Sequence, residues 1–510
     1  MGIDLHSIMQ GFMTVFQPEN LLYVMFGGFL GTIVGMLPGL GPATAVAVLI
    51  PVTFGMDPTS ALILMATIYY GAMYGGSVSS ILLNTPGDGS AVAATFDGHI
   101  MAKQGKAGQA IAACAIGSLV GGLIAVFGFM ILVKPLAHFA LAFGPAEYFW
   151  LMVFTLSMVV SLSIGKMNKG FISMGIGLLI STIGVDLQTG VYRYTFDIPQ
   201  LSSGIGLLVV IIGIYAVGEV LYNYLTIDKA KAQKNKLGRV WITKEQWKRI
   251  KWLMLRHGPI GFVSGIIPGS GGSAASMQSY SIEKQISKRR DEFGKGAIEG
   301  LAAPETSNNA ASVGAMVPLL TMGIPSSGTT AVMLGALIML GLQPGPLLFK
   351  NDPNMVWSLI DSMLVGNIFL FLINIFMVGM FVKILDTPPK ILYPLILVLA
   401  FIGTYTMNFS VVDFYLLIIF GIIGLFLKLF DFPIAPLILA LIVGNTMEQN
   451  FRRGLAPSDD GFGIFFGSPL SITLVCLTVL SVFYPFIIKQ VQKKKNQKNI
   501  NQDENMQASD

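Results

Sequence analysis

Two short runs rich in glycine and proline stand out in otherwise apolar sequence, because they share residue types and spacing. The first is Gly-Met-Leu-Pro-Gly-Leu-Gly-Pro at 35–42, and the second is Gly-Ile-Ile-Pro-Gly-Ser-Gly-Gly at 265–272. At an offset of 230 residues, six of the fifteen positions from 31 to 45 are identical in the two copies. A second pair follows at an offset of 239, Asn-Thr-Pro-Gly-Asp-Gly-Ser at 84–90 and Gly-Ile-Pro-Ser-Ser-Gly-Thr at 323–329. The repeated order predicts a chain of two related halves.

Each of these runs is expected to interrupt an α-helix, since proline removes an amide N–H and glycine adds backbone freedom. In a membrane, broken helices persist where they are packed in protein or line a wet cavity, because unpaired backbone groups cannot face lipid. Helix N-termini at such a cavity suit an anion, and unwound carbonyl groups suit a small cation. The breaks therefore predict an ion-binding cavity. The alternative is that the glycines only permit close helix packing.

The amino-acid composition predicts that the chain is a membrane protein. Of the 510 residues, 53% are hydrophobic and 12% are charged, whereas soluble domains contain roughly 25% charged residues. Apolar windows recur along the chain, and about 20 residues are enough for a helix to cross a bilayer. We predict an all-α polytopic membrane protein with about 11 to 13 membrane segments, arranged as two inverted repeats with broken helices or re-entrant hairpins.

The basic residues divide the chain into segments. Ten Lys and Arg residues lie between positions 229 and 256 and five between 489 and 498, while the first 102 residues contain none. Because basic loops favour the cytoplasm, we expect a first transmembrane repeat (1–227), a basic cytoplasmic linker with an interfacial helix (228–256), a second transmembrane repeat (257–488) and a disordered cytoplasmic tail (489–510). The side of the N-terminus is left open, although its lack of basic residues favours the outside.

Patterns for catalysis or metal binding are missing from the sequence. Cys114 and Cys476 both fall in apolar stretches, and the four histidines are scattered without a ligand motif. No nucleophile with a base or metal is recognisable, so an enzyme, a cofactor and a metal site are not predicted. The net charge of +5 comes mainly from loops between spans and indicates no nucleic-acid surface. The sequence favours a transporter, with an ion-conducting channel filtered by the breaks as the alternative.

Five runs of sequence resemble those of a known family. They are Gly-Met-Leu-Pro-Gly-Leu-Gly-Pro-Ala-Thr-Ala from Gly35, Tyr-Gly-Gly-Ser from Tyr74, Asn-Thr-Pro-Gly-Asp-Gly from Asn84, Gly-Ile-Ile-Pro-Gly from Gly265 and Ala-Pro-Glu-Thr-Ser-Asn-Asn from Ala303. Together they resemble the large permease subunit of the tripartite tricarboxylate transporters, the TctA family. The resemblance implies a secondary transporter of the bacterial cytoplasmic (inner) membrane that uses an ion gradient to take up citrate-like di- and tricarboxylates. It also implies a small membrane subunit of the TctB type and an extracytoplasmic solute-binding protein of the TctC type as partners.

A carboxylate substrate is expected where the four breaks converge, held by backbone amides and hydroxyl groups. The breaks contain no Lys or Arg, and a carboxylate cannot stay unpaired in a low-dielectric cavity. The predicted substrate-binding residues are Pro38, Gly39, Leu40, Gly41, Asn84, Thr85, Pro86, Gly87, Gly89, Pro268, Gly269, Ser270, Gly271, Gly272, Ser273, Pro325, Ser326, Ser327, Gly328, Thr329 and Thr330.

A cation is expected to accompany the substrate. Moving an anion into a cell that is negative inside costs about 2.3 kcal/mol per charge per 100 mV, so coupling to Na⁺ or H⁺ is predicted. The residues predicted to couple the cation are Asp88, Glu305, Asn308 and Asn309, which lie in or beside the repeated polar segments. For Asp88 the alternative is that its side chain caps a half-helix.

Overall fold

The computed structural model describes residues 5–37, 39–161, 166–186, 189–226, 237–384, 389–456 and 461–483, and most residues in these ranges are helical. A small antiparallel hairpin, which the sequence did not predict, pairs β1 (Gly184–Val185) with β2 (Tyr192–Arg193). The helices are α1 (Leu5–Val15), α2 (Pro18–Gly35), α3 (Pro42–Leu49), α4 (Pro58–Leu83), α5 (Val92–Lys103), α6 (Ala107–Ala140), α7 (Pro145–Ser161), α8 (Met167–Ser181), α9 (Leu207–Ile211), α10 (Gly218–Thr226), α11 (Lys244–Ile266), α12 (Gly271–Ile286), α13 (Glu299–Met322), α14 (Gly328–Met339), α15 (Pro346–Asn351), α16 (Pro353–Phe376), α17 (Val378–Ile384), α18 (Pro389–Asn408), α19 (Val411–Leu429), α20 (Ile434–Leu455) and α21 (Pro469–Phe483).

Five helical stretches in the described ranges are long and apolar enough to cross a membrane. They are α4, α6, α16, α19 and the continuous stretch Leu207–Thr226, in which a π-helical segment (Ile212–Val217) joins α9 to α10. Several shorter apolar helices accompany them, among them α3, α14 and α21. The chain is therefore a multi-pass, all-α membrane protein, as predicted. The number of membrane segments and the inversion of the two repeats stay predictions.

Helices end at each of the four predicted breaks. The breaks separate α2 from α3, α4 from α5, α11 from α12, and α13 from α14. Gly39 and Gly269, which are equivalent at the 230 offset, have φ values of +80° and +79°. Residues with a β-carbon are strained in this region of backbone conformation, so the chain needs glycine at both turns. Pro38 lies outside the described residues.

The packing of α2 on α4 is repeated by the packing of α11 on α13. A β-carbon added to Gly35 would lie 2.2 Å from the carbonyl oxygen of Ala72, and one added to Gly265 would lie 2.2 Å from that of Ala311. The glycines are related by the 230 offset and the alanines by the 239 offset. In each pair the absence of a side chain therefore lets two helix backbones touch, which accounts for the glycines at these positions.

Two long helices lie at the centre of this packing. Every residue is buried from Ser60 to Leu82 in α4 and from Glu299 to Thr321 in α13. Helix α6 packs closely on α13, because a β-carbon at Gly121 would lie 2.1 Å from the carbonyl oxygen of Thr306. Polar groups on α4 and α13 are consequently shielded from both lipid and water, and they depend on hydrogen bonds within the protein.

Contacts divide the chain into two compact units, one of Met1–Ala142 with Thr182–Ile434 and one of Phe143–Ser181 with Ala435–Asp510. The larger unit contains all four breaks. In the smaller unit, the indole N–H of Trp150 donates a 2.9 Å hydrogen bond to the carbonyl oxygen of Phe465. Helix α11 runs across position 256, so the end of the predicted linker is continuous with the next helix. Residues 228–236 of the predicted linker and the whole predicted tail, 489–510, lie outside the described residues.

Candidate functional site

The structure brings the four breaks together inside the larger unit. The first and second meet at Gly41, where an added β-carbon would lie 2.8 Å from the β-carbon of Asp88. The second and third meet at Gly89, where an added β-carbon would lie 2.8 Å from the hydroxyl oxygen of Ser273. The glycines thus allow contacts between segments that are far apart in sequence.

The third and fourth breaks are joined directly by their backbones. The amide of Gly269 donates a 2.8 Å hydrogen bond to the carbonyl oxygen of Ser326. A β-carbon at Gly271 would lie 3.6 Å from that of Ser327. The second break packs against the backbone of α2, since a β-carbon at Gly87 would lie 2.5 Å from the carbonyl oxygen of Gly35. The other predicted residues of the described breaks are Thr85, Pro86, Pro268 and Pro325, which lie in the turns themselves.

A helix begins immediately after each break. Gly41, Ser270 and Ser327 occupy the N-cap positions of α3, α12 and α14, and the second break leads through a 3₁₀ turn (Gly89–Ala91) into α5. The cap of α14 is a capping box, in which the amide of Thr330 donates to the hydroxyl oxygen of Ser327 at 3.2 Å. Because the residues at these starts contact one another, several helix N-termini meet in one region. Helix N-termini favour negative charge.

Several of the amides predicted to hold the substrate already donate within the protein. The amide of Leu40 donates to the carbonyl oxygen of Leu37 at 3.0 Å, and that of Ser270 donates to Ile267 at 3.2 Å. Asn84 ends α4 in the left-handed conformation, with φ of +57°. Among the described residues, amides without a recorded acceptor remain at the first turns of α12 and α14, at Gly272, Ser273, Gly328 and Thr329.

Asn308 presents an unpartnered amide to this region. Its side chain is 1% exposed, and neither its Nδ2 nor its Oδ1 has a hydrogen-bond partner among the described residues. A β-carbon added to Gly272 would lie 2.4 Å from Asn308 Oδ1 and 3.2 Å from the β-carbon of Ser90. Buried polar groups are nearly always hydrogen-bonded, so the unpaired amide of Asn308, which lies among the breaks, is available to a ligand that binds there. Asn308 can supply the two N–H donors of Nδ2 and the acceptor oxygen Oδ1 where the second and third breaks meet.

Glu305 lies in a separate buried cluster formed by α4, α6 and α13. Ser77 donates a 2.5 Å hydrogen bond to Oε2 of Glu305, and Ser118 donates a 2.7 Å hydrogen bond to Oε1. Asn309 donates to the same Oε1 at 2.8 Å and to Ser118 at 2.9 Å. The Glu305 side chain is 2% exposed, and no ion pair with Glu305 is recorded within the described ranges. Glu305 is therefore a buried carboxylate held by neutral donors.

The four residues predicted to couple a cation do not form one cluster. Glu305 and Asn309 are hydrogen-bonded to each other, whereas Asn308 faces Gly272. Asp88 instead accepts hydrogen bonds from the hydroxyl and amide of Ser90, at 2.5 and 3.2 Å. It occupies the N-cap position of the short 3₁₀ turn, which is the alternative role that the sequence suggested. In the part of the chain that the structure describes, no three His, Cys, Asp or Glu side chains are grouped as a metal site.

Sequence reasoning missed two features that border the breaks. A β-carbon at Gly39 would lie 2.9 Å from Oε1 of Glu219, and Glu219 forms an ion pair with Lys428. The hydroxyl of Tyr215, in the π-helical segment, would lie 2.6 Å from a β-carbon at Gly328. The sequence signal for this part of the site was the carboxylate of Glu219 in an apolar stretch. That signal did not reveal Lys428 as its partner.

The fold is that of a polytopic helical membrane protein. Its four helix breaks meet in the larger unit, which also contains the buried cluster around Glu305. The sequence matches the family model described as "Tripartite tricarboxylate transporter TctA family" over residues 21–439. The chain belongs to this family, and it is thereby a component of a tricarboxylate transporter. The family is one of transporters rather than of enzymes.

Two curated proteins of Agrobacterium vitis are similar to the chain. An uncharacterized 52.8 kDa protein in the TAR-I ttuC' 3' region is 38% identical over 493 residues, which cover 97% of this chain and 98% of that protein. An uncharacterized protein in the TAR-II ttuC' 3' region is 38% identical over 237 residues, which cover 46% of this chain and 98% of that protein. No solved structure matches the chain.

Proposed function

We propose that the chain is the permease of an ion-gradient-driven uptake system for citrate-like di- and tricarboxylates, and that the substrate binds where the four breaks converge. Membership of the TctA family supports the class of transporter and substrate. The observation that carries the location is the unpartnered, buried amide of Asn308 among converging helix N-termini. An anion placed there would accept hydrogen bonds from donors that have no acceptor among the described residues.

The proposed site holds the substrate through neutral donors. Asn308 Nδ2 and the amides at Gly272, Ser273, Gly328 and Thr329 supply them, and each hydrogen bond to a charged group contributes about 1.5 to 3 kcal/mol. Hydroxyl groups at the starts of α12 and α14 add further donors, while Asn308 Oδ1 accepts from a substrate hydroxyl.

Basic side chains contribute little charge to this site. The breaks contain no Lys or Arg. Lys428 pairs with Glu219, the carboxylate beside Gly39, so its charge is already neutralised. The helix N-termini therefore supply most of the positive potential that the substrate meets.

The proposed coupling residue is Glu305, with Asn309 as its hydrogen-bond partner. A carboxylate buried between α4, α6 and α13 can take up H⁺ or Na⁺ when the surrounding hydroxyl groups turn from donors to acceptors. The proposed setting is the bacterial cytoplasmic (inner) membrane. The proposed partners are a small membrane subunit of the TctB type and an extracytoplasmic solute-binding protein of the TctC type.

The location can be tested with a matched pair of substitutions. Asn308→Leu removes the amide beside the breaks, and Asn374→Leu removes an equally buried amide of α16 whose Nδ2 and Oδ1 also have no partner among the described residues. Binding of citrate and of smaller dicarboxylates to the purified protein would be measured by calorimetry. We expect Asn308→Leu to weaken binding by roughly ten- to a hundredfold, and Asn374→Leu to bind normally. Normal affinity in Asn308→Leu would place the site elsewhere.

A channel in which the breaks form the filter is distinguished by its kinetics. Proteoliposomes reconstituted with the chain and its two proposed partners should show saturable uptake, and external substrate should exchange with substrate loaded inside. Flux that rises linearly with concentration and shows no exchange would favour the channel.

A further inference from the structure

A groove of about 450 Å³ lies on the larger unit, formed by residues outside the four breaks. Leu119 and Val120 of α6 and Phe371 of α16 line it from two long apolar helices, and Ile242 and Trp247 line it from the beginning of the α11 region. Its volume is within the range of roughly 300 to 1,000 Å³ that is typical of small-molecule sites. The groove is therefore large enough for an apolar ligand, and it lies beside two helices that are long and apolar enough to cross a membrane.

The first turns of α11 and the residues just before them have the composition of a segment at a membrane surface. Trp241 and Trp247 are 45% and 43% exposed, and Lys244 and Lys248 are exposed on the same side at helical spacing. The opposite side, which includes Ile250, is buried. Tryptophan is enriched at membrane–water interfaces, and lysine beside it meets lipid head groups. The groove is thus bordered by residue types that are typical of a membrane–water interface.

The charges of this helix are not all neutralised by the protein. Arg249 is paired with Glu299 and Glu292, as the short hydrogen bonds from its guanidinium show. By contrast, no ion pair to Lys244 or Lys248 is recorded in the ranges that the structure describes. Lys244 also lines the groove. Glu245 offsets one of these charges, so the local charge of residues 244–248 is positive.

We propose that this groove binds an anionic phospholipid, with one acyl chain against Val120 and Phe371 and the phosphate beside Lys244 and Lys248. Charge complementarity selects an anionic lipid over a zwitterionic one, because Lys244 lines the apolar groove at the N-terminus of α11 and the exposed Lys248 lies one helical turn further along. A membrane lipid fits better than a soluble ligand, because the lining combines membrane helices with interfacial tryptophan.

The test compares two lipids with identical acyl chains. Phosphatidylglycerol or phosphatidylcholine would be titrated into the purified full chain in a neutral detergent, and retained lipid would be counted by native mass spectrometry. We expect phosphatidylglycerol to be retained at roughly tenfold lower concentration. The double substitution Lys244→Gln and Lys248→Gln should remove this preference. Lys350→Gln, which changes an exposed lysine of α15, should leave it unchanged.

A second variant tests the groove itself. Val120→Trp places a larger side chain in the groove and should reduce retention of both lipids at least fivefold. If this variant does not fold, the double lysine substitution still tests whether the chain prefers the anionic lipid. Equal retention of both lipids by the unaltered chain, or a preference that survives the double lysine substitution, would overturn the proposal. A photo-crosslinker at Leu119 that captured a polypeptide instead of lipid would also overturn it.

Discussion

The hydroxyl of Ser77 donates a 2.5 Å hydrogen bond to the carboxylate of Glu305. This contact joins α4 to α13, the two buried helices whose positions correspond at the 239 offset. Ser118, on α6, binds the other carboxylate oxygen at 2.7 Å. Three helices therefore converge on one buried carboxylate, and a change in its charge would alter the hydrogen bonds of all three.

The first prediction concerns coupling. Glu305→Gln keeps the size of the side chain and removes its charge, so we expect substrate exchange to continue while ion-driven accumulation falls at least tenfold. Proteoliposomes with an imposed Na⁺ or H⁺ gradient would separate the two activities. Glu147→Gln, in the smaller unit, is the control. Accumulation at the normal level in Glu305→Gln would exclude this residue from coupling.

The second prediction concerns topology. If the repeats are inverted, Pro38 and Pro268 enter the membrane from opposite faces, and the starts of α2 and α11 lie on opposite sides. Gln17 and Trp247 are equivalent at the 230 offset, and both are exposed. In a background that carries Cys476→Ser, we expect Gln17→Cys and Trp247→Cys to react with a membrane-impermeant thiol reagent from opposite sides. Labelling of both from one side would refute inversion.

The third prediction concerns helix packing. Gly265→Ala would place a β-carbon 2.2 Å from the carbonyl oxygen of Ala311, whereas Gly175→Ala, in α8, meets nothing within 4 Å. Alanine favours a helix over glycine by about 1 kcal/mol. We therefore expect Gly175→Ala to match or slightly exceed the thermal stability of the unaltered protein in detergent, and Gly265→Ala to unfold several degrees lower. Equal stability of the two variants would contradict the close packing.

The fourth prediction concerns a buried carboxylate that holds a loop. Asp97 accepts hydrogen bonds from the amides of Gly294, Gly296 and Ala297, at 2.9, 2.8 and 2.8 Å. Asp97→Asn would weaken these bonds, and we expect a loss of about 1.5 to 3 kcal/mol in the free energy of unfolding. Asp57→Asn is the matched control, because Asp57 is the N-cap of α4 and asparagine caps equally well. Similar losses in denaturant titrations of both variants would argue against the prediction.

The fifth prediction concerns pH. Burial opposes ionisation of Glu283, but hydrogen bonds from His257 and Arg256 outweigh it and hold the pKa of this carboxylate below its usual value of 4.5. Its contribution to stability is present above pH 4.5 and is lost as the pH falls through the lowered pKa. Thermal unfolding from pH 7 to pH 3.5 should therefore show a difference between the unaltered protein and Glu283→Gln that shrinks in acid. A constant difference would show that the ion pairs do not contribute.

The helix breaks could be predicted from sequence because glycine and proline act on the backbone locally. Gly39 and Gly269 illustrate this, since each adopts a positive φ where the spacing predicted a turn. The contact of Gly35 with α4 also follows from local composition, because small residues allow close packing. The offsets of 230 and 239 residues then predict equivalent breaks in the second half of the chain.

The partners of the buried polar groups could not be predicted in this way. Ser118 meets Glu305 across 187 positions, and Lys428 meets Glu219 only after α10 and α19 have packed together. A hydrogen bond between distant positions leaves no periodic signal in one sequence. For the same reason the sequence grouped Asn308 with Glu305, although the structure turns its amide toward Gly272.

The glycine contacts between α2 and α4, and between α11 and α13, have a mechanical consequence. Where backbone meets backbone, no flexible side chains remain at the contact to absorb a displacement, and sliding by one residue would drive larger side chains into the neighbouring carbonyl groups. Each pair of helices should therefore move as a rigid body. Motions that expose the region between the breaks to either side of the membrane would have to carry α2 with α4, and α11 with α13, and bend the chain at the turns around Gly39 and Gly269.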